Sequence, residues 1–442
     1  MKAARLGVAL MAVGVALALP TLAQADTVTD WNRTATSILI QFPPAGGGAP
    51  NALQINMGIV EGAVSDAVNA IERRHRPFLL SQKFPTNASK EAAAAQAAYD
   101  VLSSLVGDPR AGIAAATKTA MQQTLDAALA TSLAPISNGA AKTNGIAAGN
   151  AAAGAMLASR ADDGRFGPSP WVSNPAVGHW QPLINPATGL PILDPTPWVA
   201  NVQPFTIKSS SQFRTAGPNA LTSDVYADEF NETKMLGAIN STVRTPLQTQ
   251  IALFWQSNGG PGILWNDVAR QLAENPSYHL DLVDTAALFG LMNLAGADAA
   301  INCWNDKYYW DFWRPWNAIP RAGDDGNPAT DPDPPSWAAL LTAPYPEHPS
   351  GHLCLDGALL GSLRMFLGTD SAQFTVTSSR AATLPLLPNP RPFSTFSEPL
   401  AEITEARIWA GLHFRTADVQ GEQLGLEVAG WAAHHYFGPF AH

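Results

Sequence analysis

From residue 54 onward, apolar positions recur at the 3.6-residue period of an amphipathic helix. Gln54 to Arg74 carries them on one face and ends in basic residues, which suit the negative end of a helix dipole. Lys90 to Leu105, Ala111 to Leu133 and Ala141 to Ser159 repeat apolar residues at i, i+3 and i+4 in an alanine-rich setting, which predicts closely packed bundle helices. Residues 161–217 break this rhythm with Pro, Gly, Trp and Asn, and predict an ordered loop excursion wrapping the helices. Helical spacing returns at 223–253 with a break at Pro246, at 263–272, and at 280–313. There Arg314-Pro315 stops it, because the proline ring clashes with the preceding turn. After a second loop over 320–349, His352 to Leu367 predicts a helix ending before Gly368. The stretches 400–413 and on to 435 predict the last helices. No run alternates convincingly as a strand, so the predicted fold is mainly α. It is read as a single large helical domain over 26–442, with scaffold helices in 26–160, the excursion in 161–217 and the site-bearing helices in 218–442.

Composition changes this picture at the ends and the surface. With 442 residues, 46% hydrophobic and only 14% charged, the chain can bury a large core and is not globally disordered. A net charge of −10 argues against nucleic acid as a partner. Lys2 and Arg5, the apolar run Leu6 to Leu19, and Ala23-Gln24-Ala25 form the pattern of a secretory signal spanning 1–25. Cleavage near Ala25 is expected, with a secreted or periplasmic location. That run is shorter than the ~20 residues a membrane span requires, and the best later segment, Thr285 to Ala297, is shorter still. The mature chain is therefore expected not to insert in a membrane. Cys303 and Cys354 leave open either one disulfide or two buried thiols.

The chemistry-bearing residues cluster late in the chain. Lys307 and Arg314, seven apart, lie almost two helical turns from each other, so both cations leave one face about 10 Å apart along the axis and can converge on an oxyanion. Pro349-Ser350-Gly351-His352 opens the next helix. Its free N–H groups form an anion site, Gly351 permits close backbone approach, Ser350 adds a hydroxyl, and His352 can move a proton near neutral pH. Arg407 and His413, six apart, diverge by about 120° on an ideal helix, so both serve one pocket only if the helix ends near Gly411. His348, four before His352, is expected as an exposed loop histidine.

The ordered series Lys-x6-Arg-Pro, Pro-Ser-Gly-His and Arg-x5-His, with 33 residues between the first two blocks and 54 between the last two, resembles the vanadium-dependent haloperoxidases within the phosphatidic acid phosphatase type 2 superfamily. The resemblance implies that family's helical-bundle fold and vanadate as cofactor. It implies that Lys307, Arg314, Ser350, Gly351 and Arg407 bind the non-apical oxygens of vanadate or phosphate. His413 would be the axial vanadium ligand, and His352 the general acid/base. Trp304 and Tyr345 fall where family members place residues beside the halide. Two positions depart from the family pattern: Ala406 stands where a serine usually precedes the arginine. Ala417 stands where an acid often follows the axial histidine, with Asp418 one position later.

Vanadate and a phosphoryl transition state share a trigonal-bipyramidal shape, so one pocket serves either chemistry. The favoured reading is an exported haloperoxidase oxidising halide with hydrogen peroxide and halogenating an organic acceptor. The alternatives are a secreted acid phosphatase forming a phosphohistidine on His413, and a non-catalytic exported helical binding protein. Small-molecule substrates are the expected partners, and a homo-oligomer stays open.

Overall fold

The computed structural model describes residues 26–330 and 336–438. The expected export signal, residues 1–25, lies outside the described residues. Among those described, the chain forms α1 (Thr27–Leu39), α2 (Pro50–Asn69), α3 (Lys90–Gly107), α4 (Ala115–Leu133) and α5 (Ala140–Ser159). These are followed by α6 (Asp224–Gly237), α7 (Pro246–Phe254), α8 (Gly260–Ala273), α9 (Leu282–Trp310), α10 (Pro315–Ala318), α11 (Gly351–Leu367), α12 (Ser397–Trp409) and α13 (Arg415–Tyr436). A hairpin, β1 (Ser371–Val376) and β2 (Arg391–Thr395), separates α11 from α12. The chain is mainly α, with the architecture of a helical bundle.

Helix α9 is the axis of the molecule, packed against α2, α11 and α13. Asp281 caps it by accepting from the Val283 and Asp284 N–H groups, and nearly every residue from Val283 to Trp304 is buried. The expectation of no later segment long enough to span a bilayer needs correcting. At 29 residues and mean hydropathy 1.3 over its most apolar window, α9 passes on length and composition, but that window is entirely buried inside the protein. It outruns the apolar stretch Thr285–Ala297 because the polar residues that follow are satisfied internally. Asp298, Asn302 and Asp306, four apart on one face and fully buried, tie the excursion down. Asp298 accepts from the N–H groups of Phe205 (2.6 Å), Thr206 (2.6 Å) and Ile207 (3.1 Å). Asn302 accepts from Phe213 N–H (3.0 Å), and Asp306 from Thr215 N–H (2.8 Å). Buried backbone donors need such partners, so the excursion is ordered without regular secondary structure.

Close helix approach depends on missing side chains. A Cβ on Gly425 of α13 would stand 2.3 Å from the Cys354 carbonyl of α11. Two elements go beyond the sequence reading. Helix α1 precedes Gln54, capped by Asp26 accepting from Thr29 N–H. The hairpin contradicts the reading of no strand: Ala372, Phe374 and Val376 alternate inward, with Phe374 stacked on Phe393 (5.9 Å) and Phe396 (5.6 Å). Six residues are too few for that alternation to stand out. Cys303 and Cys354 are buried free thiols.

Candidate active site

The three sequence clusters meet at the C-terminal end of α9. Lys307 sits in its last turn, Arg314 at the N-cap of α10, Ser350 at the N-cap of α11, and Arg407 in the last turn of α12. The divergence of Arg407 and His413 is resolved where the sequence required it. Helix α12 stops at Trp409, and Gly411 turns with φ of +71°, where an added Cβ would lie 2.6 Å from the Gly237 carbonyl. The reversal brings His413 Nε2 to 3.1 Å from Arg314 Nη1.

The cations are buried, and the two arginines are only partly satisfied. Lys307, Arg314 and Ser350 are fully enclosed, and Arg407 and His413 nearly so. Lys307 Nζ donates to the carbonyls of Pro346 (3.2 Å), Glu347 (3.0 Å) and Pro349, and so shapes the loop entering α11. Arg314 donates to the carbonyls of Tyr345 (3.0 Å) and Leu412 (2.7 Å), leaving Nη2 without a partner among the described residues. Arg407 donates to Gln256 Oε1 (3.2 Å), but among the same residues its Nε is unpartnered, as is Ser350 Oγ. Buried donors left this way cost free energy until an acceptor arrives. Burial holds Lys307 down to about 8 and Arg314 to about 10, and each cation is further disfavoured by a neighbouring one. A Cβ on Gly351 would stand 3.1 Å from the Trp304 ring and 3.6 Å from the Lys307 side chain, so glycine keeps the N-terminus of α11 open. Orphaned donors, paired cations and an open helix terminus together fit an oxyanion such as vanadate or phosphate.

Glu347 is the residue that motif reading missed. It accepts from His413 Nδ1 (3.0 Å) and from Phe414 N–H (3.0 Å), and burial pushes its carboxyl up to about 8 against the pull of Arg314 and Lys307. With Nδ1–H engaged, the His413 Nε2 lone pair faces the cations; burial and the Arg314 charge hold its imidazole neutral. An acid 66 residues upstream of His413 thus stands in for the one missing at position 417. The one available signal was an acid inside Pro-Glu-His-Pro-Ser-Gly-His. Asp418 does not orient His413: fully buried, it faces Ser350 and Arg407, and burial drives its carboxyl well above the usual range. Ala406 packs in the apolar core.

His352 is half-buried and opens onto a cavity of about 660 Å3 that also reaches Arg407, Trp304 and Tyr345. Burial, then the Arg407 charge, holds the imidazole well below its ordinary value, so it is neutral and able to accept a proton. The Trp304 and Tyr345 rings meet edge to face at 5.1 Å, with Lys307 Nζ above both. Trp304 Nε1 donates to Asp194 (2.8 Å), which the excursion contributes. His348 corrects its expectation: it is buried, with Nε2 at 3.2 Å from Thr215 Oγ1, and burial next to Lys307 drives its pKa down to about 3.

The fold is a helical bundle, and its buried donor set fits an oxyanion. The family described as the VCPO second helical-bundle domain matches residues 287–441, which contain all seven motif positions. The vanadium chloroperoxidase of Curvularia inaequalis is 30% identical over 200 residues, covering 37% of this chain and 32% of that protein, so the match spans about a third of the relative's length. Over the whole chain, the crystal structure of the first bacterial vanadium-dependent iodoperoxidase is similar with a TM-score of 0.71 at 23% identity, covering 93% of this chain and 96% of that one. A holo-type bacterial vanadium-dependent chloroperoxidase follows with a TM-score of 0.68 at 17% identity, covering 94% and 98%. Residues 287–441 thus match the VCPO second helical-bundle domain, and the chain as a whole shares the fold of these bacterial vanadium-dependent haloperoxidases.

Proposed function

We propose that the chain is an exported vanadate-dependent haloperoxidase that oxidises halide with hydrogen peroxide. The observation that carries the reading is the convergence of unpartnered buried donors, Arg314 Nη2, Arg407 Nε and Ser350 Oγ, in the cluster where Glu347 turns the His413 Nε2 lone pair inward. Lys307, Arg314, Ser350, Gly351 and Arg407 would hold the oxygens of vanadate, and His413 Nε2 would ligate its vanadium. Vanadate, when bound, supplies a Lewis-acidic centre that activates peroxide without changing oxidation state. His352 would take a proton from hydrogen peroxide and return it to the oxygen that leaves, a task suited to a neutral imidazole lining the cavity. The aromatic corner of Trp304 and Tyr345 beside Lys307 gives a polarisable halide a place next to positive charge. Export rests on the basic-apolar-small pattern of residues 1–25.

The test is halide-dependent oxidation by the purified protein with and without orthovanadate, alongside His413→Ala. Vanadate-dependent activity with bromide or iodide is expected, and the variant is expected to lose tight vanadate retention. Vanadate-inhibited hydrolysis of a phosphate monoester without peroxidase activity would instead establish a phosphohistidine phosphatase. Neither activity would leave a binding protein.

A further inference from the structure

The cavity is far larger than one oxyanion and its halide need. At about 660 Å3 it lies within the ~300–1,000 Å3 typical of sites for organic molecules, and its walls are unlike one another. Pro50, Pro195 and Pro344 form an apolar side continuous with the Trp304 and Tyr345 rings. Facing them are Ser257, Asn258 and Arg380, from the α7–α8 turn and the hairpin loop. That polar side is preformed. Ser379 N–H donates to Ser257 Oγ (3.1 Å), Asn258 N–H to Ser379 Oγ (2.8 Å), and Ser378 Oγ to the Phe254 carbonyl (2.8 Å).

Arg380 is the exposed charge on this lining; the ionisable groups Asp194, His352 and Arg407 are less exposed and are already engaged in the site. Its Nε donates to the Gln256 carbonyl (2.8 Å), which aims the guanidinium, while both Nη groups are free of protein partners among the described residues. Gln256 links the two ends of the cavity, since its side chain accepts from Arg407 and its carbonyl from Arg380. A planar fork held at one end of an apolar slot matches a carboxylate on a flat ring.

We propose that this mouth is the acceptor site of the haloperoxidase reading on which the inference rests, and that it selects electron-rich aromatic carboxylates, with Arg380 as the specificity-determining residue. The ring lies along the proline side, between the cavity floor and solvent, so oxidised halogen formed beside His352 meets it before leaving. Ring C–H, halide, hydrogen peroxide and one proton give the carbon–halogen bond and two waters, with peroxide as the oxidant.

The test compares 4-hydroxybenzoate with 4-hydroxybenzamide, the same ring without the charge, on wild type and Arg380→Gln. Calorimetric titration of the purified protein is expected to show the benzoate bound about tenfold more tightly than the amide by wild type, and that preference lost in the variant. In turnover with bromide, KM for the benzoate is expected to rise about tenfold with kcat unchanged. Amide turnover and acceptor-free triiodide formation from iodide should not move. Equal binding of the two rings by wild type would overturn the inference. So would equal loss of triiodide formation in Arg380→Gln, which would make the arginine a halide guide. Absence of peroxidase activity in wild type overturns the reaction, whereas intact activity without acceptor preference overturns only the acceptor site.

Discussion

The most consequential side chain at the residue scale is Glu347, because it decides which nitrogen of His413 is free. A ligand imidazole gains basicity and a fixed tautomer from an acceptor on its far nitrogen, and losing that acceptor typically costs 10–100-fold in metal affinity. Glu347→Ala is therefore expected to weaken orthovanadate binding by about that factor while the near-ultraviolet circular dichroism stays native; calorimetric titration reads it. Unchanged affinity would mean that the hydrogen bond at 3.0 Å contributes only to packing. The seven motif residues were legible because each is a polar or glycine position at fixed spacing. Glu347 was not, because its partner is 66 residues away and only the fold brings the two together.

On the scale of elements, position is set by where helices stop. Lys307 and Arg314 reach one cluster because α9 ends at Trp310 and the chain turns at Asp311 with φ of 46°. His413 reaches it because α12 ends before Gly411. The proline and glycine signals made these ends readable. The face of α9 that holds the excursion was not readable, since Asp298, Asn302 and Asp306 looked like interruptions of an apolar run. Asp298→Ala would leave three buried N–H groups without an acceptor, at ~1–3 kcal/mol each. Urea unfolding is expected to show a loss of several kcal/mol, and limited proteolysis to cut first within 161–217. A loss below about 1 kcal/mol would show that the excursion holds by other contacts. The hairpin was missed for a related reason: a six-residue strand earns its stability from Phe393 and Phe396, which no local pattern names.

Across the whole molecule, the core encloses charges away from the site as well. Glu61, buried between α1 and α8, accepts from Asn32 Nδ2 (2.8 Å), and burial lifts its carboxyl to about 7. It holds its proton more tightly folded than unfolded. Its contribution is thus full below the ordinary glutamate range and lost as pH rises through about 7. Glu61→Gln removes that loss, so its stability relative to wild type is expected to improve by roughly 3 kcal/mol between pH 4 and pH 8. Thermal unfolding of both proteins across that range checks the sign; a constant difference would mean that Glu61 titrates in the folded protein as it does in the unfolded chain.

From the sequence alone came the helical class, the breaks at Pro246 and Arg314-Pro315, and the seven motif residues proposed to hold an oxyanion. Helical period, turn residues and motif spacing are local properties of a chain. It took the folded chain to bring Glu347 to His413, to bury Asp418 beside Ser350 and Arg407, to enclose His348, and to stand Arg380 at the mouth of the cavity. Each of these depends on which distant segments share a dry interior, where burial rather than sequence neighbourhood sets a group's partner and its charge.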